Sequence, residues 1–152
     1  MATSTNITPH TGHIGLNVTD IDRSRQFYQD VFGFTVAAES TDEAQRFVFL
    51  SDGQRLILTL WQQSAGKFDT HRPGLHHLSF EVASIDDVTA FEQRVRGLNI
   101  PLLYDGVVPH GEGLSSGGIF FTDPDGIRLE IYSPTGAEIL TTSTYGPSCG
   151  FF

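Results

Sequence analysis

The chain carries a degenerate copy of itself, and this restricts its fold more than any other feature. Residues 13–34, HIGLNVTDIDRSRQFYQDVFGF, align without a gap to residues 77–98, HLSFEVASIDDVTAFEQRVRGL, at a shift of 64. Eight of the 22 pairs are identical, among them His13/His77, Asp22/Asp86, Phe27/Phe91 and Gly33/Gly97. At a shift of 73, FVFLSDGQRLIL (47–58) meets FFTDPDGIRLEI (120–131), sharing Asp52/Asp125, Gly53/Gly126, Arg55/Arg128 and Leu56/Leu129. Self-similarity at a fixed spacing marks a duplicated structural unit. The 152 residues therefore divide into module one (about 13–62), a linker (63–76), module two (about 77–134) and a tail (135–152), in a length that suits one domain.

Both modules read in the same order. Alternating apolar residues (Ile14, Leu16, Val18; Leu78, Phe80, Val82) predict a half-buried strand, because successive strand side chains point to opposite faces. Asp20 and Ser84 are then placed as helix N-caps, and Phe27, Val31 and Phe34, or Val88, Phe91 and Val95, recur at helical spacing. Gly33 and Gly97 suit the left-handed residue that follows a helix. Three strands complete each unit, at about 34–39, 45–50 and 55–61 in module one, with turns at Asp52-Gly53 and Asp125-Gly126. The expected class is α+β, two βαβββ modules forming a cupped mixed sheet.

Composition narrows the partners. Asp and Glu number 18 against 9 Lys and Arg, a net charge of -9 with Lys67 the only lysine, which repels nucleic acid and anionic lipid. The single cysteine, Cys149, excludes an intrachain disulfide and a cysteine-rich zinc site, and fits a reducing compartment. No apolar run approaches the ~18 residues of a spanning helix, and residues 1–10 lack the basic and apolar stretches of a secretion signal; a cytoplasmic protein is the expectation.

Strand parity lists the residues that face away from the helices. In module one they are His13, Gly15 and Asn17, with Arg55, Ile57, Thr59 and Trp61 on the last strand; in module two they are His77, Ser79 and Glu81, with Arg128, Glu130 and Tyr132. A sheet with one polar face can simply be solvated. Ile57 and Trp61, however, suit a pocket wall better than open water. Inside a pocket, Glu130 would lose hydration at a cost of several kcal/mol unless paired or metal-bound, and two imidazoles with one carboxylate make a first-row metal set.

The residues HIGLNV, GLHHLSFEV and FFTDPDGIRLEIYSP resemble the vicinal oxygen chelate superfamily of glyoxalases, extradiol dioxygenases, epimerases and fosfomycin- or bleomycin-resistance proteins. The resemblance implies a cup holding a divalent metal on His13, His77 and Glu130; the repeat separately selects His77 over His76, since His77 aligns with His13 and lies on the polar face, and leaves His76 structural or supporting. Many lyases and epimerases of the superfamily add a fourth protein ligand at the position of Ile57. An apolar residue there, beside a 2-His-1-carboxylate set, points to Fe(II) and an extradiol-type dioxygenase acting on a small molecule with vicinal oxygens, although Mn, Zn, Ni or Co fit the same ligands. His110, in the loop VVPHGEGLSSGG, and Tyr132 are the nearest candidates for catalytic proton handling. Arg128 could hold an anionic substrate or pair with Glu81, whereas His10 and His71 read as solvated.

Two alternatives stand beside the dioxygenase: a glyoxalase-like lyase or isomerase, and a metal-free drug-binding protein of the bleomycin-resistance type. The scarcity of cations argues against a fosfomycin transferase. The resemblance also implies a homodimer, and the aromatic tail (Tyr145, Phe151, Phe152) is expected to cover the cup or pack on a partner.

Overall fold

A computed structural model describes residues 7–140 of the chain. The expectation for the tail from residue 141 onward lies outside the described residues. Module one consists of strand β1 (Ile14–Val18), helix α1 (Ile21–Phe32) and strands β2 (Thr35–Ser40), β3 (Phe47–Ser51) and β4 (Leu56–Gln62). Module two consists of β5 (Leu78–Glu81), α2 (Ile85–Gly97), β6 (Val108–Pro109), β7 (Gly117–Thr122) and β8 (Arg128–Ser133). Each forms a four-stranded mixed sheet, ordered β1-β4-β3-β2 and β5-β8-β7-β6, in which the first strand runs parallel to the last. The α+β class and the two βαβββ units are as the repeat predicts.

Local chemistry sets the helix ends. The Asp20 carboxylate accepts from the Arg23 N–H at 3.0 Å, and Ser84 and Asp87 form a reciprocal capping box at the start of α2. Gly33 ends α1 at φ 71°, and its N–H returns to the Gln29 carbonyl. Gly97 departs from expectation: it remains helical, and the left-handed turn falls on Asn99 at φ 57°. Asparagine is among the few side-chain-bearing residues that tolerate this region.

The two modules share one core. Leu16, Val18, Leu58 and Leu60 of the first sheet and Ile119, Leu129 and Ile131 of the second belong to a single buried cluster with α1 and α2. α1 reaches across the boundary, placing Phe27 6.3 Å from Phe121 of β7 and Phe32 4.4 Å from Phe80 of β5. A polar clasp fixes this arrangement. The Tyr28 hydroxyl donates to Asp123 Oδ2 at 3.0 Å, the Thr19 N–H to Asp125 Oδ2 at 2.9 Å, and the Arg23 guanidinium to Asp125 Oδ1 at 2.8 Å. The Thr19 hydroxyl also bonds Asp125. Asp123 Oδ1 accepts from the Asp125 and Ile127 N–H groups, closing the β7–β8 turn. Burial pushes the Asp123 carboxyl above the ordinary carboxylate value and the Tyr28 phenol well above its own.

This packing decides where the polar faces lie. Phe121 pairs with Leu129 on the core face of the second sheet, and Glu130 pairs with Phe120 on the opposite face. Since α1 packs on the core faces of both sheets, the faces carrying His13 and Glu130 are both turned away from the shared core.

Candidate metal centre

Glu130 occupies the middle of β8, where parallel register sets it opposite Ser79 and antiparallel register opposite Phe120. Its side chain is 1% exposed. The Ser79 hydroxyl donates to Oε2 at 2.6 Å, and His77 Nε2 lies 3.5 Å from the same oxygen. The other oxygen, Oε1, is 2.6 Å from His110 Nε2. That contact is out of line for an N–H···O bond, and neither atom has a hydrogen-bond partner among the described residues. His110, the loop candidate for proton handling, is buried. β6 and β7 bring it inward, its Nδ1 lies 3.0 Å from the Ser116 hydroxyl, and its ring stands 6.1 Å from Phe120 and 5.7 Å from Tyr132.

These residues line a pocket of about 250 Å³ with Ser79, Ser116 and Pro134. Gly118 lets β7 lie close against β8 beside it: a Cβ there would come within 2.5 Å of the Ile131 carbonyl and 2.9 Å of Tyr132 Cβ. Tyr132 is half-buried and donates its hydroxyl to Glu81 Oε2 at 2.7 Å, so Glu81 is engaged by the tyrosine. Burial pushes the Glu130 carboxyl up, but the close His110 ring, the Ser79 hydroxyl and the fields of both histidines outweigh it and hold its pKa below the ordinary value. The His77 pKa is lowered, chiefly by burial against the opposing pull of Glu130, which favours the neutral ring a metal requires.

His13 does not join this group within a chain. It is exposed just before β1, and no three His, Cys, Asp or Glu side chains among the described residues converge on one point suited to an ion. The expected meeting of His13, His77 and Glu130 inside one polypeptide is not seen among the described residues, although Gly12 and Ile57 of module one and Ser79 and Glu81 of module two line a common pocket. His77, Glu130 and His110 come together; Tyr132 borders them. Ser79 and Ser116 were not singled out from sequence as site residues. Ser79 could have been found from the parallel register opposite Glu130, whereas Ser116 carries no signal before its loop is folded.

The donor set of module two suits a divalent ion. Its buried carboxylate and the neutral His77 ring are a hard oxygen donor and an imidazole donor for such an ion, and Oε1 keeps an unused acceptor position.

The sequence profile of the Glyoxalase/Bleomycin resistance protein/Dioxygenase superfamily matches residues 10–131. The chain belongs to this superfamily. It is 28% identical over 137 residues to a trivalent organoarsenical cleaving enzyme of Bacillus sp. (strain MD1), spanning 90% of this chain and 80% of that one. It is 27% identical over 128 residues to the catechol-2,3-dioxygenase of Bacillus subtilis (strain 168), spanning 82% of this chain and 41% of that protein. Among solved structures, a glyoxylase/bleomycin resistance protein/dioxygenase domain from Frankia sp. EAN1pec superimposes with a TM-score of 0.70 at 25% identity, over 84% of this chain and 93% of that one. Superfamily members are mostly enzymes that use divalent metals and bind small molecules, and no described helix here is long and apolar enough to cross a membrane.

Proposed function

We propose that the protein is a metal-dependent enzyme, an extradiol-type dioxygenase, acting on a small molecule with vicinal oxygens. Its ion is held by His77 and Glu130 of one copy and by His13 of a second copy in a homodimer. The observation that carries this reading is the buried Glu130 with its unbonded Oε1 beside the unbonded His110 Nε2. A carboxylate in such a place costs several kcal/mol unless a cation compensates it. His13 is the remaining donor of the set, and its exposure leaves it available to a second copy.

When bound, a divalent ion, Fe(II) foremost, supplies Lewis acidity toward the paired substrate oxygens and a redox partner for dioxygen. The residues of the chain do the rest. The register sets Thr59 opposite Gly15 as Glu130 is set opposite Ser79, so Thr59 takes the position that the sequence repeat gave to Ile57, and with a carboxylate at neither residue coordination positions stay open. His110 holds a proton at Nε2 on the pocket side, with Ser116 at Nδ1 fixing the ring, and can pass it to or from a substrate oxygen. Tyr132, held by Glu81, walls the pocket, and Phe120 backs the His110 ring. On the face of module one that carries His13, Phe47, Phe49 and Trp61 form an aromatic trio with centroids 4.7–5.7 Å apart, a surface suited to a flat ring.

The similarity to a catechol-2,3-dioxygenase supports this reading. Trivalent arsenic is thiophilic and best held by several thiolates, whereas this chain has the single Cys149, which disfavours an organoarsenical substrate. The absence of a carboxylate at Ile57 and Thr59 disfavours the glyoxalase-like lyase, and a buried Glu130 with one oxygen left unbonded disfavours a metal-free binder. The test is anaerobic Fe(II) loading followed by oxygen uptake with a panel of catechols. Uptake with ring cleavage supports the dioxygenase; oxygen-independent turnover of a thiohemiacetal with Ni(II) or Zn(II) replaces it with the lyase.

A further inference from the structure

Resting on the metal reading of His77, we infer that His76 is a positioning residue that fixes the tautomer and orientation of the His77 ring. Successive residues of a strand point to opposite faces, but His76 and His77 lie in irregular backbone just before β5, and their rings meet. The centroids are 5.0 Å apart, the planes are inclined at 81°, and the two Nδ1 atoms lie 2.8 Å from each other. A neutral imidazole carries one N–H, so a hydrogen bond between two Nδ1 atoms requires one ring to donate and the other to accept. His77 presents Nε2 on the Glu130 side. For that nitrogen to offer a lone pair, the proton of His77 must sit on Nδ1, and His76 Nδ1 must accept it. His76 then keeps its own proton on Nε2. One contact thereby sets both tautomers and holds the His77 ring against rotation, the part that a carboxylate or carbonyl usually plays behind a metal-bound histidine.

The experiment measures Zn(II) affinity of the full chain by competition with a chromophoric chelator, for the wild type and for His76→Ala, His76→Phe, His76→Asn and His77→Ala. Removing an outer-shell partner typically weakens metal affinity about 10–100-fold. His76→Ala and His76→Phe should each show a loss in that range. His76→Asn places an acceptor oxygen where Nδ1 was and should recover most of it, which a purely space-filling role would not produce. The ¹⁵N spectrum of the wild-type zinc form should show the His77 proton on Nδ1. Wild-type affinity in His76→Phe while His77→Ala loses zinc, or a His77 proton found on Nε2, overturns the inference alone. Wild-type affinity in His77→Ala overturns the metal reading beneath it.

Discussion

The two modules have the same element order and the same strand pairing, yet their outward faces have diverged. Opposite the first strand, module one offers Thr59 and Trp61 where module two offers Glu130 and Tyr132. The neighbouring strand offers Phe49 and Phe47 in one case, Phe120 and Gly118 in the other. Module one thus presents a half-buried aromatic surface with one exposed imidazole, and module two a buried carboxylate between two imidazoles. The difference teaches that duplication conserved what folds the unit, its caps, turns and core face, and freed the other face to specialise. On the proposed reading, each face carries ligands that the other lacks.

The largest effect expected from breaking this contrast is at Glu130. Glu130→Ala removes the carboxylate that only module two provides, and metal affinity should fall by more than about 100-fold while the fold persists, as read by metal titration and circular dichroism. Asp123→Ala should cost about 1–3 kcal/mol in denaturant unfolding, because it strands the Tyr28 hydroxyl and two backbone N–H groups of the clasp. Asp123→Asn keeps the Oδ1 acceptor and should cost less. It should also change the pH profile. The folded-state pKa of Asp123 is raised above its ordinary value of 3.8, so the folded protein holds this proton more tightly than the unfolded chain. Stability should therefore fall as pH rises from about 3.8 through the raised pKa and then level, and Asp123→Asn should lack that fall.

A smaller effect sharpens the comparison from the other side. Thr59→Glu makes module one resemble module two, and should tighten metal binding by about tenfold while suppressing oxygen uptake by filling an open position. Smallest are the caps, where Asp20→Ala and Ser84→Ala should each cost about 1 kcal/mol with unchanged metal affinity, since both modules use the same device at the same place.

The repeat and the two-residue period of the strands made most of the fold legible. They assigned Leu58 and Leu60 to the core and Glu130 to the other face, and they distinguished His77 from His76, since only His77 aligns with His13. The period of a strand says which face a residue is on, but nothing about which faces of two sheets meet. Hence the sharing of one core through α1, and with it the separation of His13 from Glu130, could not be read from the sequence. His110 was identified as a candidate but not as buried, because its position depends on the short β6 strand and on the course of the following loop. Gly97 suggested the left-handed turn two residues early, and Asn99 takes it.

The central claim is that each metal is shared between copies, His13 from one and His77 with Glu130 from the other. The direct measurement is metal capacity after subunit exchange between His13→Ala and Glu130→Ala proteins, each inactive alone. A shared site predicts that random exchange yields mixed dimers with one intact site, restoring about a quarter of the wild-type capacity. No recovery after confirmed exchange, or full capacity in His13→Ala alone, would contradict it.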